Sequence, residues 1–396
     1  MEVKNQTYLR KLNQRAVMAL LRKESALSYT DIARALKLSN TAISKICDEL
    51  IEKNILIRTS HAENAKGRPP IVLRINPQAG LIAVIDFSTE STLICLSDLS
   101  GRVLGRRTLK PAFIITESTL FEVVEAVNEL LSLDSAVGIE LLEIYIASPG
   151  KIEESTGRFL EAYRFANAEE LNLPGFFADR YHCHVSVKND VKLSIEGELQ
   201  FGKLSIETRH ALMMYVDAGV GSALLLNGKI YEGTHGFAGE IENFICDIQN
   251  DNRMENLSYS LTLPGMVKKL NKELSATDSP LLTPRLNGRE ATFADLLEGY
   301  QKEDALCVSV VNQSACILAN LIFNLSEFLN IETVILNGGI IAFGKPFLEQ
   351  VNEYLRRKNK VTVTEVCYSN LKERAAIVGA LILGKIEAQE CLLQRL

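Results

Sequence analysis

Between Ser28 and Pro70 the chain reads SYTDIARALKLSNTAISKICDELIEKN and then a polar stretch ending in GRPP, a pattern that few folds accommodate. Ser28 is a helix-capping residue with Asp31 three positions on, and Ile32, Ala33, Leu36 and Leu38 supply one inward stripe. Lys37, Leu38 and Ser39 break that helix, and a new one begins from Ser39. In it Ile43, Ile46, Leu50 and Ile51 form the buried face, while Asn40, Thr41, Ser44, Lys45 and Asp48 form the other. Two helices this close, the second opening with small polar side chains, have helix-turn-helix spacing. Short side chains on the first turns permit approach to base edges, and the helix N-terminus faces phosphate.

The flanks extend the pattern. Leu9, Leu12, Val17, Leu20 and Leu21 recur at helical spacing, so Gln6 to Lys23 is expected to be a packing helix. Asn54 is expected to cap the third helix. Ile55 to Arg58 and Ile71 to Ile75 read as strands around the polar loop Thr59 to Pro70, a wing with Lys66 and Arg68 at its basic tip. The candidate DNA-contacting residues are therefore Ser39, Asn40, Thr41, Ser44, Lys45, Lys66 and Arg68.

Charge divides the same way. The chain has 43 Lys/Arg and 49 Asp/Glu, but residues 1–76 hold 14 and 7 of these, a net of +7 that leaves −13 for the rest. A basic head on an acidic body suits a phosphate backbone at the head alone. A length of 396 residues suggests two or three folding units. The polar N-terminus lacks the features of a secretory signal, and no run of about 18 apolar residues is expected to cross a membrane, so a cytoplasmic protein is anticipated. The eight cysteines are scattered singly with no CxxC pair, which points away from disulfides and redox chemistry.

After Asn76-Pro77-Gln78-Ala79-Gly80, expected to be a linker, the pattern changes to alternating strands and helices, the mark of an α/β fold. Strands are expected at Leu81 to Ile85, Leu93 to Leu96, Val103 to Leu109 and Leu142 to Ala147, with a helix from Phe121 to Leu133. Three strands run into turns of small or polar residues: Asp86-Phe87-Ser88-Thr89-Glu90, Asp217-Ala218-Gly219-Val220-Gly221-Ser222 and Asn337-Gly338-Gly339. Such turns let backbone amides approach a phosphate or a sugar.

The order of a winged helix, GRPP, the Asp86 turn, SPGKIEE, VKNDV, VDAGVGSALLLNGKIYEG, GFAGEIEN, VILNGG and AAIVGALILG resembles the ROK family of bacterial repressors and sugar kinases over nearly the whole chain. The resemblance implies a winged helix-turn-helix followed by an actin-like, sugar kinase/Hsp70-type ATPase α/β domain of two lobes, with sugar bound in the cleft. The expected domains are 1–76 and 77–396, with the lobe boundary near 190–210 and the final helix returning to the first lobe. It also implies sugar-side positions at Asn189, Asp190 and Glu240, with Ser148, Pro149 and Gly150 at a nearby turn and Asn243 facing the sugar. In the kinases of the family, the residue matching Asp190 is the base on the attacking hydroxyl.

The chain departs from the family in two places. Asn243 stands where His is expected, and Cys246 has no CxCGxxGC companions, so zinc is not expected there. His182 and His184 would share a strand face but lack further ligands, and no metal is expected at that pair either. The phosphate turns also differ: Ser88 and Glu90 replace Gly and Thr in the first, and Asp217, Ala218 and Ala223 replace Gly, Thr and Gly in the second. A carboxylate about 4 Å from a phosphate charge costs roughly 1 to 4 kcal/mol at water-like to surface-like dielectric, which opposes ATP. The expected protein is a sugar-responsive regulator, a repressor of carbohydrate genes. It needs no cofactor, binds operator DNA and a sugar or sugar phosphate, and assembles as a homodimer or homotetramer. An ATP-dependent sugar kinase carrying a DNA head is the alternative.

Overall fold

Local capping and apolar spacing build the N-terminal elements of the computed structural model, which describes residues 6–60, 71–88, 91–112, 114–153, 156–162, 164–167, 170–205, 207–242, 244–248, 254–358 and 364–396. Helices α1 (Gln6–Lys23), α2 (Tyr29–Leu36) and α3 (Asn40–Glu52) precede strands β1 (Leu56–Ser60) and β2 (Ile71–Ile75). The strands pair antiparallel from Leu56↔Ile75 to Ser60↔Ile71. Val17, Met18, Ile32, Ile43, Leu50, Leu56 and Leu73 are fully buried and make the core of the head.

Three details differ from expectation. Leu9 and Leu12 are 46% and 37% exposed, because the buried face of α1 begins only at Gln14 and Val17. In α3 the inward stripe is Ile43, Ile46, Cys47 and Leu50, the i, i+3, i+4, i+7 set, and Ile51 is only half-buried. Lys53 caps α3, and Asn54 is the residue with positive φ (61°) that follows.

The chain divides into two compact units: Met1–Gly150 with Glu154–Lys188 and Ala380–Leu396, and Lys151–Glu153 with Asn189–Gly379. The head therefore belongs to the first unit. The segment read as a linker is a short 3-10 turn, Pro77–Ala79, preceded by a buried Asn76. The Asn76 amide donates to the Asn54 carbonyl at 2.8 Å, and its side-chain oxygen accepts from Gln78 N.

In the first unit β3 (Leu81–Asp86), β4 (Leu93–Asp98), β5 (Val103–Thr108), β6 (Leu141–Ser148) and β9 (His184–Asn189) form one sheet in the order β5-β4-β3-β6-β9. Strand β3 is antiparallel to β4 and parallel to β6. Helix α4 (Glu117–Leu131) starts a turn earlier than its apolar spacing indicated, because Thr116 and Thr119 form a capping box. Short strands β7 (Lys151–Glu153) and β8 (Arg158–Glu161) and helix α5 (Leu173–Tyr181) come before β9. His182 is the left-handed cap of α5 and His184 opens β9, so the two histidines do not share a strand face.

The second unit starts with helix α6 (Asp190–Phe201) and repeats the plan. Its strands are β10 (Ala211–Val216), β11 (Val220–Leu226), β12 (Lys229–Ile230), β13 (Ile245–Ile248), β14 (Met254–Asn256), β15 (Thr333–Asn337) and β16 (Glu365–Tyr368). The sheet order is β12-β11-β10-β15-β16, with an antiparallel β10–β11 hairpin and parallel β10–β15–β16. Among the described residues one helix, Ala305–Leu329, has the length and apolar character of a membrane span, contrary to the sequence expectation. Its Val310, Val311, Ala315, Leu318, Ala319 and Ile322 lie in the core of this unit, which accounts for that composition.

The C-terminal helix, Ala375–Gln394, begins among residues of the second unit and ends in the first. Its Gly379 lies on α6, where an added Cβ would stand 1.9 Å from the Leu193 carbonyl oxygen. Its Gly384 lies on the first sheet, against Ile82 and Tyr145.

Candidate functional site

The head presents a built recognition surface. The Ser28 hydroxyl accepts from Asp31 N at 3.2 Å and donates to the Asp31 carboxylate at 2.6 Å, which fixes the start of α2. That hydroxyl contact also holds the Asp31 carboxyl below its usual range. Ser39 caps α3 by accepting from Ala42 N at 3.2 Å, so this predicted DNA contact also sets where the recognition helix begins. Asn40, Thr41 and Lys45 are exposed on α3 and Ser44 is half-buried. Lys66, Arg68 and the wing loop 61–70 lie outside the described residues.

Sequence reasoning missed one cluster here. The Asp48 carboxylate accepts from Arg58 Nη2 at 2.5 Å, from the Tyr29 hydroxyl at 3.1 Å and from the Ser44 hydroxyl at 3.4 Å, while Arg58 Nε donates to the Tyr29 oxygen at 3.1 Å. An acidic residue on the helix expected to meet DNA would repel phosphate unless a cation neutralised it, and Arg58 on β1 is paired with it. The signal available in the sequence was Asp48 itself, an unexplained negative charge on a polar helix face.

Strand β9 runs directly into α6, the first helix of the second unit, and the junction carries Asn189 and Asp190. The Asn189 side-chain oxygen caps α6 by accepting from Val191 N at 3.0 Å and Lys192 N at 3.2 Å. Asp190 opens the helix at 5% exposure, with its carboxylate oxygen accepting from Val191 N at 2.9 Å. Val191 leans on Gly221 of β11, where an added Cβ would meet it at 3.1 Å. Gly239, with φ +99°, binds the same hairpin: its carbonyl accepts from Ser222 N at 3.1 Å and from the Ser222 hydroxyl at 2.7 Å. Glu240 follows at once and is half-buried. Helix α6, the β11 hairpin and the loop before Glu240 are thus joined in one unit by Val191, Ser222 and Lys192, whose ammonium reaches Glu232 and the Gly236 carbonyl.

The other predicted sugar-side residues stand apart from this group in the chain. Ser148, Pro149 and Gly150 form the turn after β6 in the first unit. Ser148 is fully buried and donates to the Pro149 carbonyl at 3.2 Å, so its hydroxyl serves the turn. Gly150 has φ +110°, and a Cβ there would meet the Glu161 carbonyl at 2.5 Å, so only glycine fits. Asn243 lies outside the described residues.

Two of the three small-residue turns carry a distinctive carboxylate. In the first unit Asp86 is fully buried. One oxygen accepts from Ser88 N at 2.8 Å and the other has no hydrogen-bond partner among the described residues; burial pushes the carboxyl up to about 6. In the second unit the Asp217 carboxylate accepts from Gly339 N at 2.9 Å across 122 residues, joining the two later turns. Gly338, at φ +87°, sits against the Val216 carbonyl, where a Cβ would come within 2.6 Å.

These features define a class: a winged DNA-binding head preceding a twice-repeated α/β body of the sugar-kinase type. Residues 82–387 match the profile of the ROK family and residues 10–57 that of a winged helix-turn-helix DNA-binding domain, and the chain belongs to the ROK family. It is 23% identical over 392 residues to the xylose repressor of Caldicellulosiruptor bescii, covering 96% of each chain. Among solved structures it resembles a ROK family transcriptional regulator described as a homologue of the Escherichia coli MLC protein, with TM-score 0.80, 20% identity and 98% of each chain covered. It also resembles a ROK family glucokinase from Streptomyces griseus solved with glucose and AMPPNP, with TM-score 0.62 and 18% identity, covering 78% of this chain and all of that one.

Proposed function

We propose that this protein is a sugar-responsive transcriptional regulator, a repressor of carbohydrate genes, working in the cytoplasm as a homodimer or homotetramer. The observation that carries this reading is the joining, in one chain, of a capped, polar-faced recognition helix to a sugar-kinase-type body. Asn40, Thr41, Ser44 and Lys45 would read operator DNA, Ser39 would fix their helix, and Lys66 and Arg68 would reach phosphates or a minor groove. Asn189, Asp190 and Glu240 are proposed to hydrogen-bond sugar hydroxyls, which need paired donors and acceptors, and Ser148, Pro149, Gly150 and Asn243 are the further candidates that the family resemblance offers. Effector control requires only that the sugar bind unequally to two states of different DNA affinity. A gel-shift titration with the DNA upstream of the gene tests it. Binding no tighter than to scrambled DNA at matched salt overturns it.

Catalysis is not part of this reading. The Asp217 carboxylate occupies the Gly339 amide, placing a negative charge in the turn region where a nucleotide phosphate would need amide donors. The kinase alternative rests on Asp190 standing where the family's catalytic base stands. A coupled ATP assay across hexoses and pentoses decides between them, because turnover abolished by Asp190→Asn would establish the kinase.

A further inference from the structure

The first turn of α6 carries a residue that the helix itself disfavours. Lys192 stands two positions after Asp190 at a helix N-terminus, where aligned peptide dipoles oppose a cation. It is nonetheless buried, at 3% exposure, so its ammonium requires close partners. Those partners are specific: Nζ lies 2.5 Å from Glu232 Oε2 and 2.5 Å from the Gly236 carbonyl oxygen.

Both acceptors belong to the loop that leads into Glu240. The loop is closed by Ala238 N donating to the Glu232 carbonyl at 3.1 Å, and it turns through Gly233, Gly236 and Gly239 with φ of 73°, 82° and 99°. Glycine-rich backbone brings little packing and a large conformational entropy to lose on ordering. Lys192 ties this loop to the helix that begins with Asn189 and Asp190.

We infer that Lys192 is a positioning residue: its strut to Glu232 and Gly236 holds the Glu232–Glu240 loop in ligand-ready form. The inference rests on the reading of Asn189, Asp190 and Glu240 as the effector side.

The test uses the full-length protein, with thermal shift and calorimetry against xylose, glucose, N-acetylglucosamine, glucose 6-phosphate and N-acetylglucosamine 6-phosphate, alongside operator binding. The wild type should respond to at least one of these sugars or sugar phosphates. In Lys192→Met/Glu232→Gln both charges are removed together, so neither is left buried alone. That variant should keep its operator affinity and bind the sugar about tenfold more weakly, the loss expected when preorganisation is removed. Glu232→Gln alone, at a half-exposed position, takes that carboxylate from the Lys192 ammonium and should weaken the same ligand at least as much. A double variant that binds its ligand as the wild type does overturns the inference while leaving the effector reading intact. If no probe binds the wild type although operator binding persists, the effector reading falls and the strut's role falls with it.

Discussion

Arg15 Nε donates to Glu390 Oε2 at 2.7 Å, so the first helix of the chain is ion-paired to its last helix across 375 residues. Further along α1, Arg22 Nη1 donates to Gln389 Oε1 at 2.6 Å. Gln389 is fully buried, and burial lowers the pKa of Arg22 despite the nearby Glu390 carboxylate. The head is thus fastened to the C-terminal helix by one half-exposed pair and one buried contact.

These two contacts should differ in strength. Arg15→Ala removes a surface pair and is expected to cost less than about 1 kcal/mol, and less at high salt. Arg22→Ala leaves the buried Gln389 oxygen without its donor and is expected to cost about 1 to 3 kcal/mol. Urea unfolding at two salt concentrations checks both values.

The Tyr29, Asp48 and Arg58 cluster predicts a split between charge and positioning in DNA binding. Arg58→Ala leaves Asp48 uncompensated beside the recognition face, so operator affinity should fall at every salt concentration. Arg58→Ala/Asp48→Asn removes the repulsion with the cation and should recover part of the loss. Fluorescence anisotropy across a salt series distinguishes the two variants.

Asp86 makes stability depend on pH in an unusual direction for a carboxylate. Its pKa is raised by burial, from 3.8 to about 6, so the folded state holds the proton more tightly than the unfolded state. Stability from this group is therefore present below about pH 4 and lost as pH rises through about 6. Relative to Asp86→Asn, the wild type should lose on the order of 3 kcal/mol across that window, because each tenfold change in proton affinity is worth about 1.36 kcal/mol. Paired denaturation curves from pH 4 to 7 measure the difference.

Gly379 predicts a steric limit. A Cβ there falls 1.9 Å from a main-chain oxygen of α6, which cannot swing aside as a side chain would. Gly379→Ala should cost about 1 to 3 kcal/mol or more, although alanine is the better helix former. A lowered melting temperature with unchanged helical content is the expected result.

Much of the head was legible because its information is local. Ser28 and Ser39 announce their caps within three residues, and the stripe of α3 repeats at helical spacing. Where reading failed, packing rather than spacing decided the outcome: Leu9 and Leu12 look like core residues, yet among the described residues they stay 46% and 37% exposed. His182 and His184 alternate like strand residues, but the end of α5 captures the first as its left-handed cap. The proposed effector residues Asn189, Asp190 and Glu240 come from motif alone, which passed over Lys192 because its partner lies 40 residues away.

The sequence by itself determined the winged head, the alternating α/β body, the ROK resemblance and the unusual carboxylates of the phosphate turns. Each of these is written in short windows of spacing, capping and small-residue turns, where the interacting groups are near neighbours along the chain. Only the tertiary structure decided that Asp217 meets Gly339, that Lys192 braces Glu232, that Asp48 faces Arg58 and that Arg15 reaches Glu390. These pairings follow from how sheets and helices pack, and a charge in a linear sequence does not specify which distant charge the packed chain will bring within hydrogen-bonding distance.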